Sequence, residues 1–339
     1  MAAMEPERLL CPKPEGLYCA PGDFYVDPVR AVARAVITHG HSDHARMGHG
    51  TVVATPETLA IMEARYGLDY CGMPQPIRYG ESITRDGVEV TLVPAGHVLG
   101  SAQAVIRHGG LTMVVSGDYK RRRDPTCPPF EPVACDVFIS EATFGLPVFC
   151  FPDAAEEIAE LLRSVGQFPE RTHLVGAYTL GKAQRVICLL REAGYEDTIF
   201  VHGALDRLNA LYEAHGVALG PLGPATDGRP KAEFAGKIVV APPAAAQDRW
   251  SRRFPDPVNA FASGWMRVRA RARQRGVDLP LIISDHADWN ELTETVREVN
   301  PGELWITHGR EEALARWAEL NGVPARALAL VGYEEEEEE

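Results

Sequence analysis

The chain of 339 residues contains no apolar stretch near the ~20 residues that a membrane-crossing helix requires. Its N-terminus has no apolar core of the signal-peptide kind, so the sequence offers neither a span nor a secretory leader. Cys-x-x-Cys pairs are absent too. The seven cysteines stand singly at 11, 19, 71, 127, 135, 150 and 188, an odd and scattered set. That pattern argues against a disulfide framework and a zinc ribbon, and it fits reduced thiols in a cytoplasmic protein. Positive charge is also in short supply: 34 Lys and Arg face 47 Asp and Glu, a net charge of -13. Six of those negative charges fall in the run Glu334 to Glu339, which reads as a solvated, disordered tail. The scarce basic residues are grouped, at Lys120 to Arg123 and at Arg267, Arg269, Arg271, Arg273 and Arg275. A hydrophobic share of 45% and a mean hydropathy of -0.14 describe a globular protein long enough for two domains.

Histidine, by contrast, is concentrated. Residues 38 to 44 read Thr-His-Gly-His-Ser-Asp-His, with four metal-ligand side chains in six positions. Packing does not explain such a density, because buried imidazoles and carboxylates without partners are costly. Two ions would resolve it, His39 and His41 facing one and Asp43 and His44 the other. This donor set suits zinc, manganese or iron. The cluster follows the apolar run 31–37, which reads as a strand, so the ligands leave a strand end. Three further apolar runs end in the same way, at His97, Asp118 and His308. Collected, they give His39, His41 and His97 for one ion, Asp43, His44 and His308 for the other, and Asp118 as a bridge. A catalytic site needs an open position, and this count leaves one.

The remaining texture is coarse. Up to about residue 145, short apolar runs alternate with turns and suggest a mostly meandering sheet, with one helix at 56–66. From about 150 the order becomes strand and helix in turn, which implies parallel pairing with helices on the faces. Helices are expected at 153–165, 182–193 and 205–215, and strands at 173–177, 198–202, 237–241, 281–284 and 304–307. Residues 216 to 236 read as loop.

Taken in order, Asp27, the 39–44 cluster, His97, Asp118 and His308 resemble the strand-end motifs of the metallo-β-lactamase fold. Ser140-Glu141-Ala142-Thr143-Phe144-Gly145 and Ser284-Asp285-His286-Ala287-Asp288 resemble two motifs of its β-CASP nuclease branch, and Thr179-Leu180-Gly181-Lys182-Ala183-Gln184 a turn in that branch's cap. Gly22 to Pro28 and Phe261 to Met266 bring the likeness nearest to bacterial ligase-associated DNA exonucleases. The resemblance implies an α/β fold, a metallo-β-lactamase αββα sandwich over 1–147 and 276–333, interrupted by a β-CASP α/β cap over 148–275. It also implies phosphodiester hydrolysis by hydroxide activated between two divalent ions, zinc first and manganese second. His286 would be the proton donor to the departing 3′-oxygen, oriented by Glu141, with Asp43 and Asp118 completing the catalytic set. Arg122, Arg123, Lys182, Arg267 and Arg271 are the candidate phosphate contacts, Lys182 at a helix start where free N–H groups attract anions. DNA is the expected substrate, in repair, with a ligase or helicase of the same pathway as a partner. RNA is the alternative, since histidine at the third β-CASP motif, here His308, is usual in the RNA enzymes. A small-molecule hydrolase would explain the ligands but not Glu141, His286 or the insertion. A catalytically dead scaffold would have lost ligands that are all present.

Overall fold

A computed structural model describes residues 5–226, 228–328 and 330. The glutamate run 334–339 lies outside the described residues. The chain divides into two compact units, one reaching to Cys150 and resuming at His286, the other Phe151–Asp285.

The first unit carries two sheets. One has the order β1 (Leu10–Lys13), β2 (Gly16–Cys19), β3 (Phe24–Val26), β4 (Arg34–Val36), β5 (His49–Ala54), β6 (Cys71–Pro76). Its first three strands are antiparallel neighbours and its last four are parallel. The other sheet begins with β7 (Ser82–Arg85), β8 (Val88–Pro94), β9 (Ala102–His108), β10 (Leu111–Val115) and β11 (Val137–Ala142). The meander expected from the sequence holds over β1 to β3 and over β7 to β10. From β10 the pairing turns parallel, through β11 to two later strands of the return, Glu303–Gly309 and Ala325–Ala327. Local apolar runs cannot distinguish these arrangements, because the parallel neighbour of β11 at Glu303–Gly309 is contributed by chain far away in sequence.

Alternation along the strands builds the layers. Ala104, Ile106, Met113, Val115, Ile139 and Trp305 point into a core shared with Leu17, Val26, Val36 and Val53 of the first sheet. The intervening residues Val105, Val114, Phe138, Leu304 and Ile306 face Leu292, Val296, Leu314 and Ala318 from the helices Trp289–Val299 and Glu311–Leu320. On the far side, Ala35, Ile37, Val52 and Ala54 pack on Leu59 and Met62 of the helix Pro56–Tyr66. Thr55 caps that helix by accepting a hydrogen bond from Thr58 N.

The second unit holds one parallel sheet of six strands. In chain order these are β12 (His173–Gly176), β13 (Ile199–Val201), β14 (Leu222–Pro224), β15 (Ile238–Ala241), β16 (Val258–Ala262) and β17 (Leu279–Leu281). In space they run β14-β13-β15-β12-β16-β17. Helices Ala154–Gln167, Lys182–Glu192 and Asp206–Ala214 match the expected ones within a residue or two, and Asp153 caps the first through Ala155 N. Two expectations are corrected. Residues 216 to 236 contain β14, too short and glycine-rich to read as a strand. The run 281–284 is strand only at its start: β17 pairs with β16, and the first unit resumes at His286 rather than at 276. With these, β18 (Glu303–Gly309) and β19 (Ala325–Ala327) complete the first unit's second sheet.

Candidate metal centre

Three loops of the first unit, each leaving a strand, and the ends of two further strands bring the ligand types together. The loop after β4 carries His39, His41, Asp43 and His44; those after β8 and β10 carry His97 and Asp118; β11 carries Glu141 and β18 carries His308; and His286 opens the return. Close backbone approach makes this convergence possible. Gly117, at φ +55°, lies against Thr38, and a Cβ there would come within 2.6 Å of Thr38 Oγ1. Only glycine lets the residue before Asp118 meet the residue before His39. Ala102 N donates to Thr38 O at 2.8 Å and ties β9 to the same loop.

Within the first unit, His39, His41, His97 and Asp118 form one group whose ligand atoms all lie within 4.8 Å of each other; His44, Asp118 and His308 form a second. Asp118 belongs to both through different oxygens. Its Oδ2 is 3.4 Å from His39 Nε2 and 3.7 Å from His97 Nε2, while its Oδ1 is 3.5 Å from His44 Nε2 and 3.4 Å from His308 Nε2. Asp43 approaches the second group, its Oδ2 lying 3.5 Å from His44 Nε2. A third group joins Asp118 to Glu141 and His286. His286 Nδ1 lies 2.9 and 3.1 Å from the two Glu141 oxygens and 3.9 Å from Asp118 Oδ2.

The donor atoms fit divalent ions. His39 Nε2, Asp43 Oδ1 and Asp118 Oδ1 are buried and make no hydrogen bond among the described residues, a costly state that an ion would relieve. His97 Nε2 and His41 Nδ1 converge to 2.9 Å, two ring nitrogens that can serve one cation. The opposite ring atoms are held: His44 Nδ1 by Asp27 Oδ2 at 2.8 Å, His39 Nδ1 by Thr38 Oγ1 at 3.1 Å and His308 Nδ1 by Thr307 Oγ1 at 2.8 Å. Partners of this type fix the tautomer that leaves a lone pair for metal.

Electrostatics point the same way. Burial, with the neighbouring His44 adding to it, lowers His39 to about 4. Burial and the imidazoles of His286, His39 and His41 push His97 well below its ordinary range. Both rings therefore offer neutral nitrogens. Burial would raise Asp118, but the charges of His44, His286 and His39 outweigh it and hold the carboxyl well below the usual range. Burial opposes charge on His44 as well; there Asp118, Asp43 and Asp27 prevail and raise it well above 6.5.

The expected phosphate contacts are distributed differently. Lys182 is buried within the second unit, its Nζ 3.1 Å from Asp285 Oδ2, and Arg185 Nη1 lies 3.5 Å from Asp285 Oδ1. That neutralised ammonium does not stand exposed at a helix start. Arg122 Nη2 binds Asp288 Oδ2 at 2.7 Å, while Arg123 is exposed. In the second unit Arg267 is exposed and the Arg271 guanidinium lies 4.0 Å from the Trp265 ring centre. One device was not anticipated. Glu291, buried, accepts from Arg121 N at 3.0 Å and Arg122 N at 2.7 Å through Oε1, and from Asp288 N at 3.0 Å through Oε2. It joins the loop behind Asp118 to the loop behind His286. The signal was present as Asp288-x-x-Glu291, the spacing of a reciprocal helix cap.

No family model matches the chain. Among curated proteins it is 30% identical over 319 residues to a probable DNA ligase of Opitutus terrae, covering 89% of this chain and 30% of that protein. It is 34% identical over 122 residues to the cleavage and polyadenylation specificity factor subunit 3 of Dictyostelium discoideum, 35% of this chain and 16% of that one. To the endoribonuclease ysh1 of Aspergillus fumigatus it is 33% identical over 143 residues, 41% and 16%. The chain thus spans under a third of the length of these relatives. A crystal structure of a protein of unknown function from Enterococcus faecalis V583 superposes with a TM-score of 0.59 at 14% identity, over 88% of this chain and 79% of that one.

Proposed function

We propose that this chain, a relative of the β-CASP nucleases of the metallo-β-lactamase superfamily, is a metal-dependent DNA nuclease. It hydrolyses phosphodiester bonds as an exonuclease in repair. In this reading the first unit is the metallo-β-lactamase αββα sandwich and the second its inserted β-CASP cap. The observation that carries the proposal is the shared Asp118, whose two oxygens face two separate histidine groups beside the Glu141–His286 pair.

His39, His41, His97 and Asp118 would hold one divalent ion, and Asp43, His44, His308 and Asp118 the other, zinc first and manganese second. Bound there, the ions supply Lewis acidity, acidifying water and neutralising charge on the phosphoryl oxygens. Asp27, Thr38 and Thr307 aim the imidazoles. Glu141 accepts the Nδ1 proton of His286 and leaves Nε2 to deliver its proton to the departing oxygen. His286 suits that task because its side chain is 18% exposed where that of Glu141 is 0%. The ligase-named relative supports DNA as the substrate; a ligase or helicase partner and a cytoplasmic repair role are part of the same proposal. No helix among the described residues is long and apolar enough to cross a membrane.

A second reading, an RNA nuclease, draws on the relatives named endoribonuclease. The test of both is a nuclease assay with the metal-reconstituted protein on end-labelled DNA and RNA of one sequence, beside Asp118→Ala. Shortening of DNA by wild type, lost in the variant, is the expected result. Faster cleavage of RNA would favour the second reading, and cleavage of neither would end both.

A further inference from the structure

In the second unit, β13 and β15 are neighbours in a parallel sheet, and both end at the edge where α/β sheets of this kind take their ligands. His202 follows β13 directly. The chain leaving β15 turns at Pro242 and Pro243 and enters the segment Arg249–Arg253, Arg-Trp-Ser-Arg-Arg, in a short 3-10 helix. His202 and Trp250 meet at that edge, their rings 4.7 Å apart.

The segment is anchored beneath and charged above. Trp250 packs on Phe254 at 4.9 Å, Phe254 on Phe234 at 5.0 Å, and Phe234 on Phe200 of β13 at 4.9 Å, so the indole stands on a ladder of rings rooted in the core. The Arg253 guanidinium lies over the Trp250 ring, 5.2 Å from its centre, and donates from Nε to Trp250 O at 2.9 Å. Arg249, Arg252 and Arg253 are exposed, and none of the three pairs with a carboxylate among the described residues. Lys231 Nζ reaches Arg252 O at 3.2 Å, bringing a fourth cation to the same place. Asp248 caps the segment through Arg249 N, Asp206 acts on His202 from the neighbouring helix, and Glu233 beside Lys231 pairs with Arg229 at 3.6 Å.

We propose that Arg249, Arg252, Arg253 and Lys231, with His202 and Trp250, form a binding surface for single-stranded nucleic acid, which rests on the nuclease reading above. The chemistry that selects this ligand is the pairing of unneutralised cations with flat faces. Phosphates of a flexible strand are drawn to exposed arginines, and unstacked bases lie on guanidinium and aromatic planes. Against a net charge of -13, a local cationic group directs where a strand can lie. An acidic protein would use the cations but has no need of the planar groups.

The test measures binding of a fluorescein-labelled 20-nucleotide single strand, as DNA and as RNA, to the full chain in EDTA, where cleavage cannot occur. Salt is titrated, and R249E/R252E/R253E is compared with R249K/R252K/R253K, which keeps the charge. Every phosphate that the protein no longer neutralises takes about 0.7 from the slope of log affinity against log salt for single strands. The glutamate variant should therefore show a slope shallower by about 2, and an affinity at least tenfold weaker at low salt. The lysine variant should keep the slope and bind only modestly less tightly. Unaltered affinity and slope in a folded glutamate variant, verified by circular dichroism, would overturn the assignment. Equal weakening for single-stranded and duplex DNA would overturn its single-strand part. Absence of binding by the wild type to any nucleic acid would instead refute the nuclease reading on which the surface rests.

Discussion

Replacing Asp27 with asparagine should weaken one ion site more than the other. Asp27 is buried and accepts three hydrogen bonds: from Thr38 N at 2.7 Å, from Thr38 Oγ1 at 2.5 Å and from His44 Nδ1 at 2.8 Å. Its backbone sits at φ +43°, a conformation asparagine also tolerates, so backbone strain is not introduced. The carboxamide, however, has a single acceptor oxygen. If that oxygen stays on Thr38 N, its NH2 group faces His44 Nδ1. The imidazole must then accept at Nδ1 and carry its proton on Nε2, the atom that points at Asp118 and would otherwise bind metal. Loss of an orienting partner of this kind costs about 10- to 100-fold in metal affinity, equivalent to roughly 1.4–2.8 kcal/mol. The assay is zinc competition against a chromogenic chelator, resolving two binding constants. The second group, His44, Asp118 and His308, should weaken by that factor and by more than the group of His39, His41 and His97, which Asp27 reaches only through Thr38 Oγ1. Two unchanged constants, or weakening confined to the first group, would refute the reasoning.

His286→Ala should slow cleavage by roughly 10²- to 10⁴-fold with metal content retained, read by single-turnover kinetics beside elemental analysis; metal loss would remove it from the proton-donor role. Glu141→Gln added to His286→Ala should slow the reaction no further, since Glu141 acts through His286; additive losses would separate the two. Gly309→Ala places a Cβ 2.2 Å from Ala142 O at φ +100°, and should cost on the order of 1–3 kcal/mol in chemical unfolding while displacing His308. His173, the first residue of β12 and 2.8 Å from Ser164 Oγ through Nε2, is lowered by burial to about 4. The unfolded chain then binds the extra proton below pH 6.5, so stability falls between about 6.5 and 4. The loss is about 2 kcal/mol at pH 5; a wild type no more acid-sensitive there than His173→Gln would contradict it.

Legibility differed between site and scaffold. The clustered histidines and aspartates were readable because each sits where an apolar run stops, and four of them crowd into six positions. Helices capped by strong local signals, such as Thr55 and Asp153, were readable for the same reason: cap and periodicity are local. Sheet order was not, because β11 pairs with β18 across the whole intervening unit. β14 escaped notice as a three-residue Leu-Gly-Pro, whose strand character comes from pairing with β13 rather than from its composition. Lys182 differs for a similar reason: the sequence places a cation at a helix start, but its burial against Asp285 depends on residues a hundred positions away. The joint at Glu291 was visible as a helix cap, yet its second duty, holding Arg121 and Arg122, is a tertiary fact.

The most direct measurement is the anomalous scattering of a crystal grown with zinc and recorded at the zinc edge. Two peaks are predicted, one among His39, His41 and His97 and one beside His44 and His308, with Asp118 reaching both. A single peak, or two peaks of which Asp118 touches only one, would contradict the shared-carboxylate centre from which the activity was inferred.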